Sequence, residues 1–309
     1  MYTIAIHGGA GLSSIAGLPE ELDREARQCL SETLQAAAAL LGRGGSALDA
    51  VELAVCMMED SPVFNAGRGS VFSADGVQRM DASIMDGATL GAGSLCGATR
   101  IRNPVKAARA IMEKTPHVMF DGPEAERTAL AAGLPLAEPG WFYTEYRWQQ
   151  LLRTRASGAV VLDHDEVGSK GTVGAVALDA HGDLAAATST GGMVNKPPGR
   201  IGDSALIGAG TYADNRTCAV SATGHGEVFI RHHVAGRLSD LVGLAGMDLP
   251  AAARRLVHAE LPDKAGGLIA VDTLGNISMP FNTGGMFRGY TADDGRKFVA
   301  IWNNEEERG

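Results

Sequence analysis

Residues 2–6 (YTIAI) form a short, almost unbroken apolar run, the pattern of a buried strand, and it ends in His7-Gly8-Gly9-Ala10-Gly11. Residues 19–41 then place apolar side chains at helical spacing and stop at Gly42. Ser46 with Asp49 three positions on resembles a capping box and opens a second helix that runs through Met58. The stretch 59–69, EDSPVFNAGRG, carries too many turn formers for either regular element. Residues 71–97 read as strands joined by Gly and Asp turns. Asn103-Pro104 predicts an N-cap followed by Pro at the first helical position, with the helix ending at Lys114. Shorter helices are predicted over 123–132 and 144–153.

The pattern then changes. Residues 156–171 hold no helical period and read as an exposed linker. From Thr172 strands return: TVGAVALD, a His181-Gly182 turn, then DLAAATST. Helices are predicted over 227–242 and 249–261. Residues 267–281 form another hairpin, turning at Leu274-Gly275-Asn276. Residues 177–193 and 270–286 align without a gap, each reading strand, Asp, turn, strand, Thr-Gly-Gly-Met. Two readings fit this repeat: hairpins adjacent in one sheet, or two loops facing one cleft. Strands in both halves with helices between them predict a layered α/β architecture.

Composition narrows the function. The chain has 309 residues and a formal net charge of −9, which argues against unassisted binding to nucleic acid or to anionic membranes. Gly supplies 41 residues, about twice the usual share of ~7%, which suits tight loops around a site. The four cysteines, Cys29, Cys56, Cys96 and Cys218, form no CxxC pair, so neither a zinc site nor a redox motif is indicated. Without a basic, apolar leader or an 18-residue apolar stretch, a cytoplasmic protein is expected.

Common motifs fail on inspection. Gly9-Ala-Gly11 would need a third glycine where Ser14 stands to be a dinucleotide loop, and no Gly-Lys dipeptide exists for a P-loop. Asp163-His-Asp165 begins like a calcium loop, but position 12 would be Gly174. His232-His233 lacks a metal-site context. No Ser sits in G-x-S-x-G.

The informative stretch is Gly171-Thr172-Val-Gly-Ala-Val-Ala-Leu-Asp179. A Thr opens a buried strand directly after a polar linker. If the bond before it is cut, Thr172 owns a free α-amine, of pKa near 8 or lower when partly buried, beside its own hydroxyl. That amine is a general base for the hydroxyl without any histidine. Branching at Cβ restricts χ1 and holds the nucleophile. A Thr in a strand is commonly only structural, but its neighbours shift the balance. A hairpin returns Thr190 beside Thr172. Arg200 and Asp203, in the stiff loop NKPPGRIGDS, offer a carboxylate clamp and an ammonium partner, the two needs of an α-amino acid head group; alone they would read as a surface salt bridge. Thr223-Gly224, at the end of a strand, offers a hydroxyl and an N–H to an oxyanion, or is an ordinary strand-to-helix turn.

The runs IAIHGGAG, PVFNAGRGSVF, GTVGAVALD, ATSTGGM, NKPPGRIGDS, SATGHGEVF and GGLIAVD, in this order, resemble the plant-type asparaginase/isoaspartyl peptidase family of N-terminal-nucleophile hydrolases. The resemblance covers nearly the whole chain. It implies a four-layer αββα sandwich, two packed sheets flanked by helices, in a single domain. It implies self-cleavage between Gly171 and Thr172 into an α chain, 1–171 with 155–171 as exposed linker, and a β chain, 172–309, assembled as an (αβ)2 heterotetramer. It implies Thr172 as nucleophile and base with Thr190 beside it, Arg200 on the substrate α-carboxylate, and Asp203 on the α-ammonium with the Gly226 carbonyl. Thr223 and Gly224 are the implied oxyanion hole, and Asn65 approaches the nucleophile. No cofactor is implied for catalysis. A structural sodium ion is, on backbone oxygens of Met58, Glu59, Ser61, Phe64, Ala66 and Arg68; oxygen-only ligation suits a hard cation.

The implied reaction is hydrolysis of β-aspartyl dipeptides and L-asparagine, small molecules that share one head group and differ in the leaving side. His225 follows the oxyanion glycine at a variable position, and Gly284 stands where some bacterial members carry an acidic residue. A glycosylasparaginase-like amidase is the nearest alternative, but those enzymes carry Asp where Gly171 stands. A non-catalytic amino-acid-binding homologue is another; retention of Thr172, Thr190, Arg200, Asp203 and Thr223 together argues against it.

Overall fold

The computed structural model describes residues 1–12, 18–157 and 171–305. Alternation along the strands builds its layers. The central strands β1 (Thr3–Leu12), β2 (Met80–Asp86), β3 (Ala92–Ala98), β5 (Val173–Leu178) and β6 (Leu184–Thr190) lie in an eight-stranded sheet. The sheet is completed by β4 (Met119–Asp121), β11 (Gly285–Ala292) and β12 (Lys297–Trp302), in the order β12-β11-β1-β5-β6-β2-β3-β4, antiparallel except for β3 with β4. One face presents Ile4, Ile6, Ala82, Ile84, Val173, Ala175 and Ala187 to helices α1 (Glu20–Gly42), α2 (Ala47–Asp60), α3 (Pro104–Lys114) and α4 (Gly122–Ala131). The opposite face, with Ala5, Met85, Val176, Leu184 and Ala186, packs on Ala219, Ile269 and Val271 of a second sheet.

That second sheet has four strands in the order β10-β9-β8-β7: β7 (Thr211–Ala213), β8 (Cys218–Gly224), β9 (Gly266–Asp272) and β10 (Ile277–Ser278). Its outer face, with Val220, Ala222, Leu268 and Ala270, is covered from the side of α6 (Gly226–His232), α7 (Val234–Gly243) and α8 (Leu249–Arg255). The layers therefore run helix, sheet, sheet, helix, the αββα sandwich expected from the sequence. The helix α5 (Glu145–Ser157) lies at the end of the first segment.

Four local expectations change. Helix α5 continues through Ser157, so the first residues assigned to the linker are helical; 158–170 lie outside the described residues. Asn103 occupies the N-cap position of α3 but its side chain caps nothing there; the buried Glu59 carboxyl accepts from Val105 N at 3.1 Å instead. The helix predicted over 227–242 is two helices, broken at His233 with φ of 51°, whose ring fills the space that a Cβ on Gly208 or Gly236 would need. The repeated hairpins are not neighbours in one sheet: β5–β6 belongs to the large sheet and β9–β10 to the small one.

Between the sheets the layer is apolar at one end and polar at the other. At the polar end Ser83 Oγ donates to Thr211 Oγ1 (2.7 Å), which donates to Thr188 Oγ1 (2.5 Å), and Thr188 meets Ser221 Oγ (2.7 Å). Ser221 meets His7 Nε2 at 2.9 Å, and His7 Nδ1 lies 3.0 Å from the Thr172 carbonyl oxygen. A carbonyl only accepts, so Nδ1 carries the proton and Nε2 accepts from Ser221. Burial holds the ring far below the usual imidazole range, to about 3, so it stays neutral.

Gly174 makes this contact between the sheets possible: a Cβ there would sit 2.0 Å from Ser221 Oγ and 2.4 Å from His7 Nε2. Gly174→Ala is therefore expected to cost about 2–4 kcal/mol, the scale of an overpacked core plus one broken buried hydrogen bond. Urea unfolding midpoints of the two proteins check this; an unchanged midpoint contradicts the tight fit.

Candidate active site

The strand pair β5–β6 sets the centre of the site. Val173 pairs with Ser189, so the residues just beyond, Thr172 and Thr190, project from the same face at the polar end of the inter-sheet layer. Thr172 Oγ1 donates to Thr190 Oγ1 at 3.0 Å. Thr190 Oγ1 also accepts from Gly192 N at 2.9 Å, which fixes the turn that follows. Thr172 is thus held twice, by Thr190 at its hydroxyl and by His7 at its carbonyl. Gly171 is packed against β1: a Cβ on Gly9 would lie 2.4–2.7 Å from the Gly171 N, Cα and C atoms. Only glycine at position 9, with φ of 114°, permits that approach.

A cleft opens beside Thr172, lined by Asn65, Gly171, Thr190, Gly192, Met193, Arg200, Gly202, Asp203 and Gly224. Of the sequence-predicted site residues, Asn65, Gly171, Thr172, Thr190, Arg200, Asp203 and Gly224 therefore converge on one cleft, while Thr223 and Gly226 lie behind its lining. Asn65 is buried; its Nδ2 donates to Gly192 O at 2.7 Å and its Oδ1 accepts from Val71 N at 3.0 Å, tying the 59–69 loop to the β6 turn. Thr223 is buried, and its Oγ1 accepts from Ala10 N at 3.2 Å, leaving the hydroxyl proton free to donate. Gly224 has φ of 154°, and a Cβ on it would meet Ala265 O at 2.2 Å. Gly226 lies under the charged pair: a Cβ there would be 2.8 Å from Arg200 Nη2 and 3.1 Å from Asp203 Oδ1. The second Thr-Gly-Gly-Met loop does not join the cleft lining; its Met286 sits in the inter-sheet core.

Arg200 and Asp203 do not pair as a surface salt bridge. Arg200 donates through Nε to Glu227 Oε1 (3.0 Å) and through Nη2 to Glu227 Oε2 (2.9 Å). Those hydrogen bonds hold the Glu227 carboxyl down to about 2. Asp203 is buried, its Oδ2 has no hydrogen-bond partner, and burial pushes its carboxyl up to about 7. An unpartnered buried carboxylate is costly, and an ammonium ion delivered to it is the natural remedy. The His225 side chain is half exposed, with Nδ1 3.7 Å from Glu227 Oε2.

Sequence reasoning missed three contributors. His7 and Ser221 are 214 positions apart and meet only because β1 and β8 face each other across the sheets; the available signal was a polar residue at an inward strand position. Glu227 carried no signal, because its partner lies 27 residues away on a loop.

In the 59–69 loop, the Glu59 and Phe64 carbonyl oxygens close on Gly67 and Gly69, 2.3 and 2.0 Å from where a Cβ would be. Burial pushes the Glu59 carboxyl up to about 8, so its side chain brings little charge. Among the described residues no group of three or more His, Cys, Asp or Glu side chains is placed to hold a metal.

Comparison with known proteins follows the same outline. The isoaspartyl peptidase of Escherichia coli strain K12 is 50% identical over 299 residues, covering 94% of this chain and 93% of its own. The isoaspartyl peptidase/L-asparaginase of Danio rerio is 40% identical over 286 residues, 91% of this chain and 89% of its own. The Xenopus laevis protein of the same name is 38% identical over 314 residues, 98% and 96% respectively. The family model described as Asparaginase matches residues 1–301, and the chain belongs to that family.

Proposed function

We propose that this chain is a threonine amidohydrolase that releases L-aspartate from β-aspartyl dipeptides and from L-asparagine, after cleavage of its own Gly171–Thr172 bond into chains 1–171 and 172–309. The observation that carries this reading is the meeting, in one cleft, of the Thr172 hydroxyl, a bound but not saturated guanidinium and a buried carboxyl whose Oδ2 has no hydrogen-bond partner. The names of the relatives point to the same two substrate types.

The mechanism follows from the residues. The freed Thr172 amine takes the hydroxyl proton as Oγ1 attacks the β-acyl carbon. Negative charge gathers on the acyl oxygen, where the Thr223 hydroxyl and the Gly224 N–H donate. The Thr172 ammonium returns its proton to the leaving amine, and the C–N bond breaks to leave an ester on Oγ1. Water, deprotonated by the same amine, then attacks the ester; Oγ1 departs with the proton, and aspartate leaves. Arg200 holds the α-carboxylate, Asp203 and the Gly226 carbonyl hold the α-ammonium, Thr190 keeps Oγ1 in place, and Asn65 braces the β6 turn. Sodium on the backbone oxygens of Met58, Glu59, Ser61, Phe64, Ala66 and Arg68 would stiffen the loop that carries Asn65 and takes no part in the bond changes. Assembly as (αβ)2 and action in the cytoplasm are further parts of this proposal, supported by the family resemblance; among the described residues no helix is long and apolar enough to cross a membrane.

Purified wild-type protein should hydrolyse β-aspartyl-leucine and asparagine but not α-aspartyl-leucine, and Thr172→Ala should stay a single chain and be inactive. An intact, active Thr172→Ala protein overturns the reading. Arg200→Ala should lower kcat/KM by about 2–4 kcal/mol, the scale of a lost charge-assisted contact with a group left unpaired.

Asp203 supplies a pH signature. With its carboxyl near 7, it is increasingly protonated, and a poorer ammonium partner, as pH falls below 7. The ratio of kcat/KM for asparagine to that for succinamate, which lacks the ammonium, removes the titration of the Thr172 amine common to both. That ratio should rise between pH 6 and pH 8, by about tenfold per pH unit at most. A flat ratio contradicts the Asp203 assignment.

A further inference from the structure

Arg200 has five guanidinium N–H groups, and Glu227 takes two of them, one from Nε and one from Nη2. The remaining three lie on Nη1 and on the outer hydrogen of Nη2, a second planar edge that matches a carboxylate. Nη1 points toward the cleft floor: it lies 3.0 Å from where a Cβ on Gly202 would be and 3.4 Å from that of Gly192, and both glycines line the cleft. Glu227 stands on the other side, with its side chain 44% exposed against 14% for Arg200. Asp203, three residues from Arg200, is left with a free Oδ2 although it is the nearer carboxylate in the chain.

We infer that Glu227 is a positioning residue for substrate recognition: it grips the outer edge of Arg200, keeps the guanidinium off Asp203, and so leaves one edge of the cation and one carboxyl for the two ends of the substrate head group. One arginine thus serves two carboxylates at once, a permanent one from Glu227 and a transient one from substrate. The arrangement solves an electrostatic problem. A cation and an anion built to bind a zwitterion attract each other in a buried site, where low dielectric strengthens the attraction. If they collapse together, both ends of the substrate lose their partners. A third charge placed behind the cation, outside the cleft, prevents this and orients the guanidinium plane.

The inference rests on the reading that Arg200 and Asp203 hold an amino-acid head group. It is tested with Glu227→Ala and Glu227→Gln, each confirmed by mass to be fully cleaved before kinetics. Glu227→Ala should raise KM for asparagine by about tenfold, the scale of one charge-assisted hydrogen bond, with kcat within about threefold, because Thr172, Thr223 and Gly224 are untouched. It should also lower the asparagine-to-succinamate ratio of kcat/KM by about tenfold, since the released guanidinium occupies the carboxyl that reads the ammonium. Glu227→Gln, which keeps one accepting oxygen, should fall between. A general loosening of the α6 start would shift both substrates alike and leave the ratio unmoved; that result, or a KM within about twofold of wild type, overturns the role given to Glu227. Failure of the underlying reading looks different: wild type would not turn over asparagine, or Arg200→Ala would leave KM unchanged.

Discussion

The site depends on one strand register. Pairing of Val173 with Ser189 puts Thr172 and Thr190 on the same face, one residue past the paired strand. A slip by one residue would send Thr172 toward the helices that cover the large sheet, since side chains alternate with a period of two. The register is held from both sides. On the helix side Val173, Ala175, Ala177, Ala185 and Ala187 fit the α1–α4 layer. On the other side Gly174 admits Ser221 and His7 so closely that no larger residue fits. β1 pairs alongside, His7 with Gly174, and so brings the imidazole to the Thr172 carbonyl.

The inter-sheet layer divides accordingly. Its apolar end supplies cohesion, with Val176, Leu178, Ile269 and Val271 among its members. Its polar end is a relay of neutral groups, Ser83, Thr211, Thr188, Ser221 and His7, each satisfied by the next. Neutral hydroxyls and a neutral imidazole bear burial far better than ions do. The charged recognition groups gather at the cleft instead: Arg200 and the buried Asp203 line it, and Glu227 stands on its outer side. The nucleophile therefore sits at a boundary, anchored by uncharged hydrogen bonds behind and facing charged recognition groups in front.

Much of this was legible in the sequence because it is local. The turn at Gly182 and two seven-residue runs bring Thr190 back to Thr172, and the Pro-Gly loop confines Arg200 and Asp203. Strands in both halves with helices between them gave a layered α/β architecture, and the order of the four layers came from the family resemblance. What escaped depends on distant segments meeting. Glu59, not Asn103, caps α3, because the end of α2 lies against it. His233 breaks a helix without Gly or Pro because its ring fits beside two glycines. The two similar hairpins share a sequence pattern yet join different sheets, since the pattern specifies a hairpin and not its neighbours. Glu227 reads as an ordinary exposed helix residue until Arg200 is seen against it.

The central claim is that the Thr172 hydroxyl attacks a β-acyl group held by its head. Rapid acid quench of mature enzyme with β-aspartyl-leucine, followed by intact-mass measurement of both chains, tests it directly. The chain that begins at Thr172 should gain the mass of one aspartyl residue, lost again on incubation in water, with the adduct mapped to the Thr172 side-chain oxygen. Turnover with an adduct on another residue, or with an adduct that forms equally when Thr172 is replaced by Ala, would contradict the account.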